Sequence, residues 1–280
     1  MRLTQTLSAH HLLLLVLALV ALMPTNHAAA QPAQAQTGAP SFEVLDDDEQ
    51  DTTGPKFSVN IGLASDYRFR GFTQTDGNAA VQGGGDFTYN WFYAGVWATN
   101  VNFGQELNDN LVLQDTGADW AIYSYVGAKH KFDRTELDGG FIYYAYPNSQ
   151  GFADLDFYEF YAAASYDFVP NSLVGGVTVY YSPDYQGGVG RNWIIESSLV
   201  KYLPKFGDDW QPSVSGLLAY SDGVPSDGGL DYWYWNVGAS LVFDYFEFDV
   251  RFFDTFDVPN LIDCDDVCDG KVVARITFEN

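Results

Sequence analysis

Residues 233–252 read WYWNVGASLVFDYFEFDVRF. Trp233, Trp235, Val237, Leu241 and Phe243 fall on one parity, with Asn236 and Ser240 on the other. After Asp244 the pattern resumes, with Phe246, Phe248, Val250 and Phe252 opposite Glu247, Asp249 and Arg251. A period of two puts successive side chains on opposite faces of an extended chain. The stretch therefore reads as two antiparallel strands joined by a tight turn, each with an apolar and a polar face. Strands of soluble sheets average about 5–6 residues, whereas these run to about ten, the length a tilted membrane-crossing strand needs.

The alternation extends in both directions. From Lys56 on, Val59, Ile61, Leu63, Ser65, Tyr67 and Phe69 share one face, with Asn60, Gly62, Ala64, Asp66, Arg68 and Arg70 on the other. That predicts a first strand continuing to Arg70, with Tyr67 facing outward. Val81, Gly83, Gly85, Phe87 and Tyr89 oppose Ala80, Gln82, Gly84, Asp86 and Thr88, while Trp91, Tyr93, Trp97 and Val101 oppose Asn100 and Asn102. The last segment sets Val272, Ala274, Ile276 and Phe278 against Lys271, Arg275, Thr277 and Glu279.

Twelve such segments are centred near residues 63, 84, 97, 125, 141, 161, 177, 197, 215, 238, 251 and 275. Connections after odd segments are long (71–79, 102–118, 147–154, 183–190, 222–230 and 257–269), and those after even segments shrink to a few residues near Asn90, Asp133, Pro170, Lys205 and Asp244. Strict alternation means one rim of loops and one rim of turns, and an even count returns both chain ends to the turn rim. Trp91, Trp120, Trp193, Trp210 and Trp233 lie toward strand ends, as aromatic girdles do at membrane interfaces. The expected fold is all-β: a transmembrane up-and-down antiparallel β-barrel of about twelve strands. A soluble β-sandwich would alternate too, but with shorter strands, polar outer faces and Greek-key crossovers.

Composition narrows the function classes. The 280 residues include 13 Lys plus Arg against 37 Asp plus Glu, a formal net charge of -24. Nothing basic is present in quantity to neutralise phosphates, so nucleic acid is not a partner. Hydrophobic residues make up 47% and aromatic residues 17%, far too much for a disordered acidic chain. No stretch beyond residue 30 approaches the roughly 20 apolar residues of a spanning helix.

The first thirty residues stand apart. Arg2 precedes an unbroken apolar run from Leu12 to Met23, then Pro24 and the small residues Ala28, Ala29 and Ala30. The run is too short to cross a bilayer and has the layout of a secretory signal, so residues 1–30 are expected to be cleaved on export, after Ala30 or Ala35. Residues 31–55 form an acidic periplasmic linker, with Glu43, Asp46, Asp47, Asp48, Glu49 and Asp51 ahead of Pro55. Those acids lack the glycine and distal glutamate of an EF-hand loop, so a solvated tether is the better reading. The barrel then occupies 56–280, destined for the cell outer membrane.

Inward parity drafts the lumen. The pore-lining candidates are Asp66, Arg68, Arg70, Asp86, Glu159, Glu247, Asp249, Arg251 and Arg275, accompanied by Gln82, Asn100 and Lys271. First and last strands are neighbours in a closed barrel, so Arg68, Arg70 and Arg275 could meet Asp66, Asp249 and Glu247. Two readings stay open: ion pairs that staple a mostly filled interior, or opposed patches lining a constriction that orients solutes. Unpaired buried charge is too costly to be a third.

Enzymatic chemistry has little to stand on. Past the signal, His130 is the single histidine, near the turn rim beside Lys129 and Lys131, and reads as interfacial rather than as part of a triad. Asp66 and Asp86 could suggest glycosidase carboxylates, but next to Arg68 they read as counter-ions. Gly83-Gly84-Gly85 lies inside a strand with no helix after it, which fits close packing or a barrel bend rather than a phosphate loop. Cys264 and Cys268 are the only cysteines, and a pair this close in an exported chain reads as a disulfide. The alternative is a soft-metal site shared with the neighbouring aspartates, poorly served without histidines. No cofactor and no metal are expected.

The run Gly62-Leu63-Ala64-Ser65-Asp66-Tyr67-Arg68-Phe69-Arg70-Gly71-Phe72-Thr73-Gln74-Thr75 resembles the opening motif of the TorF-type family of proteobacterial outer-membrane porins. The similarity continues through Val81-Gln82-Gly83-Gly84, Phe87-Thr88-Tyr89 and the stretch from Phe92 to Phe103, and more loosely through the later hairpins. This resemblance implies an outer-membrane barrel and a pore, without bringing a substrate. The chain departs from many such barrels by ending Phe278-Glu279-Asn280 rather than on an aromatic residue, which weakens the insertion signal or moves it to Phe278.

The expected function is that of a porin or narrow channel for passive diffusion or uptake of small hydrophilic solutes. Its partners would be outer-membrane lipid and lipopolysaccharide, those solutes and the barrel-assembly machinery. The alternative is a non-conducting structural or adhesive barrel that binds a partner through its acidic loops. The six long connections hold thirteen acids and no Lys or Arg, whereas the turns hold Lys131, Arg134 and Lys205. That asymmetry predicts a mouth that favours cations.

Overall fold

The computed structural model describes residues 54–107, 113–150, 155–207, 210–224, 229–259, 264 and 267–280. The expected signal peptide and residues 31–53 of the linker lie outside them. Twelve long strands form the wall: β1 Lys56–Ala64, β2 Ala80–Tyr89, β3 Phe92–Asn100, β4 Trp120–Phe132, β5 Thr135–Ala145 and β6 Phe157–Val169. They continue as β7 Leu173–Ser182, β8 Asn192–Tyr202, β9 Trp210–Asp222, β10 Tyr232–Phe243, β11 Phe246–Phe256 and β12 Lys271–Glu279. Each pairs antiparallel with its chain neighbours, and β12 closes on β1 through Ile61 opposite Phe278 and Leu63 opposite Ile276. Closure removes the unpaired edges that an open sheet would present.

The turns follow from local chemistry. Asn90, Asp133, Asn171 and Asp244 adopt positive φ at the reversals β2–β3, β4–β5, β6–β7 and β10–β11, a conformation that Asn and Asp tolerate better than other side chains. The outer face of the wall is apolar: Phe57, Leu63, Phe92, Val126, Val250 and Val272 are all exposed. A patch of that extent is unusual on a protein that meets only water. Trp91 and Trp210 stand at the turn rim, and Trp120, Trp193 and Trp233 at the loop rim.

The first strand is shorter than its alternation predicts. β1 ends at Ala64, with Ser65 still bonded to Ala274 of β12, and residues 66–75 leave the wall to fold into the lumen before 76–79 return to the exposed rim. There Arg68–Phe69 pairs with Phe72–Thr73 as a small hairpin, with Arg70 and Gly71 as its two turn residues at φ 54° and 92°. Positive φ at both positions is the tight hairpin turn whose twist suits short paired strands. A Cβ at Gly71 would also sit 3.0 Å from Cβ of Tyr234, so the position is closed to side chains. Tyr67, expected to face outward, is only 1% exposed inside the barrel. A hairpin arm keeps the same period of two as a wall strand, so periodicity could not separate them.

A second correction concerns β3. Tyr93, Trp97 and Thr99 face inward and are buried, which places Asn100 on the outward parity. The Asn100 side-chain oxygen accepts from Val81 N at 2.6 Å, and its amide donates to Ala79 O at 3.3 Å. The rule of apolar outside and polar inside fails here because aromatic rings fill the lumen. Inner-wall glycines make room for them: a Cβ at Gly84 would lie 3.1 Å from the Trp97 ring, and one at Gly95 would lie 2.5 Å from that of Tyr125.

Candidate functional site

The lumenal hairpin carries Arg70 at its tip. Glu159 reaches it from β6, its Oε1 and Oε2 accepting from Arg70 Nη1 and Nη2, both at 2.7 Å. The Tyr144 hydroxyl on β5 donates to Glu159 Oε2 at 2.8 Å, and Tyr185 lies 3.2 Å from Arg70 Nη1. The guanidinium also rests against three rings, 4.7 Å from that of Phe69, 5.0 Å from Tyr180 and 5.5 Å from Tyr185. A planar, delocalised cation suits this combination of fork-to-fork pairing and ring stacking; a lysine would not. Tyr232 OH donates to Arg70 O at 3.1 Å, and the neighbouring Tyr234 OH donates to Glu196 Oε1 at 2.5 Å.

A second ion pair holds the base of the hairpin. Arg68 Nε donates to Asp66 Oδ2 at 2.8 Å, while Asp66 Oδ1 accepts from the hydroxyls of Thr73 at 2.6 Å and Thr75 at 2.9 Å. Arg68 Nη1 reaches the backbone carbonyls of Gly71 and Asp269, each at 3.1 Å, and Thr73 N donates to Val267 O at 2.9 Å. Val267 and Asp269 belong to the β11–β12 loop, where Cys264 and Cys268 are joined in a disulfide with their Cα atoms 4.7 Å apart. Neither sulfur is therefore a thiolate. The second long loop joins in through Asn102 N donating to Gln74 O at 2.7 Å.

The wall holds the remaining charges. Arg251 is 1% exposed and bonds Asp249 at 3.1 Å, Asn236 at 2.7 Å and Ser215 at 2.8 Å. Arg275 meets Glu247 at 3.2 Å nearer the turn rim, and Asp86 accepts from Tyr125 OH at 2.5 Å. Of the anticipated cross-strand partners, Arg275 meets Glu247 across the β11–β12 pair, whereas Arg68 and Asp66 meet locally, two residues apart within the inserted segment. Arg70 instead takes Glu159, because the hairpin carries its guanidinium away from β1 and across the lumen. His130 points outward near the turn rim, its ring 4.4 Å from those of both Trp91 and Phe132.

Sequence reasoning missed Glu196, the inward Tyr144 and Tyr180, and the aromatic packing of Tyr67 and Phe69. Glu196 was the most visible of these, as the only acid on β8 and on the parity of buried Asn192 and Ile194. The loop rim also contains cations once the strand ends are fixed: Arg68 and Arg70 belong to the first connection, and Arg191 lies 3.7 Å from Asp222. Of the thirteen loop acids, Asp109, Asp154, Asp227, Asp263, Asp265, Asp266 and the Glu106 side chain fall outside the described residues.

Solved structures share this architecture. A KdgM porin aligns with a TM-score of 0.50 at 11% identity, covering 79% of this chain and 98% of its own. A NanC porin aligns at 0.45 and 12% identity, covering 79% and 98%, and LpxR from Salmonella typhimurium at 0.46 and 10% identity, covering 79% and 99%. The barrel is porin-like in fold. No curated protein matches the sequence. A family of bacterial proteins of unknown function, Gcw_chp, matches residues 48–277, and this chain belongs to it.

Proposed function

We propose that this chain is an outer-membrane channel, exported by a cleaved signal, that passes small hydrophilic solutes through a lumen narrowed by the inserted residues 66–75. The observation that carries the reading is the distribution of polarity: an apolar outer wall around an interior whose charges are paired by hydrogen-bonded partners. Bilayer-spanning strands need the first, and a polar interior is what sets a channel barrel apart from one packed with aliphatic side chains. The resemblance to TorF-type porins at residues 62–75 points the same way, and that stretch contains the lumenal hairpin. Loop-rim acids such as Asp76 and Asp184 favour cations at the mouth.

The buried hairpin also favours a second reading, a closed barrel whose loops bind a surface partner. Purified protein in planar bilayers separates the two. Stepwise ion conductance supports the channel. Its absence both from the wild type and from a variant lacking residues 66–75, folded as judged by circular dichroism, supports the closed barrel.

A further inference from the structure

One side of the hairpin base is fastened by a short segment of the β11–β12 loop, Val267 to Asp269. Thr73 N donates to Val267 O at 2.9 Å, and Arg68 Nη1 donates to Asp269 O at 3.1 Å and to Val267 O at 3.4 Å. Thr255 of β11 touches both partners: its hydroxyl donates to Cys268 O at 2.8 Å, and a Cβ at Gly71 would come 2.4 Å from its methyl carbon. Loop carbonyls can grip the hairpin in this way only while the segment that carries them keeps one conformation.

The Cys264–Cys268 disulfide supplies that constraint. β11 ends at Phe256 and β12 starts at Lys271, so the connection is 257–270, long enough to take many conformations without a tie. Within it, Cys264 O is the acceptor for the amides of Val267, Cys268 and Asp269 alike, at 3.1, 3.1 and 3.2 Å. Three donors share one carbonyl with two lone pairs, each beyond the roughly 2.9–3.0 Å of a well-made bond, so the backbone alone is a weak clasp. The cross-link closes the turn covalently over a sequence separation of 4. Its ends differ in access: Cys268 is 0% exposed, whereas Cys264 is half-buried.

We infer that this disulfide is a redox-sensitive latch that keeps the hairpin docked in the lumen, released when a dithiol at the loop rim reduces it. One thiolate of the dithiol attacks Sγ of Cys264, the accessible end; the S–S bond breaks, and Cys268 leaves as a thiolate that takes up a proton. The second thiol of the reductant then displaces Cys264 as a thiol. The dithiol ends as a cyclic disulfide, and the protein gains an electron pair and two protons. Val267 and Asp269 are then tied only by the weak clasp and by Thr255, while Arg68 keeps Asp66 and Gly71, partners inside the inserted segment itself. The consequence, an opened lumen, rests on the channel reading; the latch itself does not.

The folded full chain, oxidised or treated with dithiothreitol, is compared with the Cys264→Ser, Cys268→Ser variant. Trypsin cuts after arginine, and Arg68 and Arg70 are 2% and 8% exposed, so peptides ending at either residue report an undocked hairpin. These should form about 10- to 100-fold faster in the reduced protein and in the variant, the effect of releasing a short cross-linked loop, and reoxidation should restore protection. Single-channel open time should rise in parallel. Equal cleavage in all three forms, with maleimide labelling showing the pair reduced, overturns the latch, as does a pair that dithiothreitol leaves unlabelled. Cleavage that rises in the variant alone overturns it too, because loss of fold rather than of the bond would be the cause. Faster cleavage without conductance in any form keeps the latch and sinks the channel, whereas conductance and cleavage that both ignore reduction do the reverse.

Discussion

Replacing Arg70 by Ala removes the cation that docks the hairpin in the lumen. Glu159, 1% exposed, would lose both 2.7 Å bonds and keep the Tyr144 hydroxyl. Breaking one side of a buried ion pair costs about 3–5 kcal/mol, chiefly because the remaining charge is left desolvated. At roughly 1.4 kcal/mol per decade, that shifts the docking equilibrium of the hairpin by about two to three and a half decades. The wall ladder is untouched, so the cost falls on the hairpin and not on the barrel. Single-channel conductance should therefore rise in Arg70→Ala while barrel unfolding by denaturant changes little. The double variant Arg70→Met, Glu159→Gln removes the orphaned charge and should recover most of the docking. High salt should change none of this, because a buried pair is poorly screened. Equal conductance in wild type, single and double variants would refute the idea that this pair holds the hairpin.

Further outcomes are expected. Arg251→Ala should alter conductance or selectivity, whereas Val250→Ala on the lipid-facing parity should not; the opposite pattern would mean the β11 register is off by one. Gly71→Ala should destabilise hairpin docking by about 1–3 kcal/mol, and more than Gly77→Ala, since both have positive φ but only Gly71 is crowded. Hairpin accessibility to protease reports this, and equal effects would remove the crowding argument. A membrane-impermeant maleimide on intact cells should label Cys264 or Cys268 only after mild reduction; label beforehand argues against the disulfide, and none afterwards argues against a surface loop. Reversal potentials across a KCl gradient should show cation preference at low salt that fades toward 1 M, where the Debye length shrinks to about 3 Å, and clear anion preference would count against an acidic mouth.

Much of the barrel was legible in the linear chain because each strand buries nothing on its outer side. An apolar parity must be repeated in every strand, and an Asn or Asp marks four of the five tight reversals, so Val250 against Arg251 and Asp244 between hairpin arms could be assigned without coordinates. Length, alternation and loop spacing settled twelve strands, their order and the faces of β2, β10, β11 and β12. The destination of residues 66–75 was decided only in three dimensions. Whether Asp66, Arg68 and Arg70 belong to the wall or to the lumen depends on Glu159 and on the β11–β12 loop, 89 and some 200 positions away in sequence. The inward rings of Tyr93, Trp97, Tyr144 and Tyr180 were hidden for the same reason. An aromatic side chain satisfies lipid and a packed lumen equally well, and only the space left by Gly84, Gly95 and the inserted hairpin determines which side it takes.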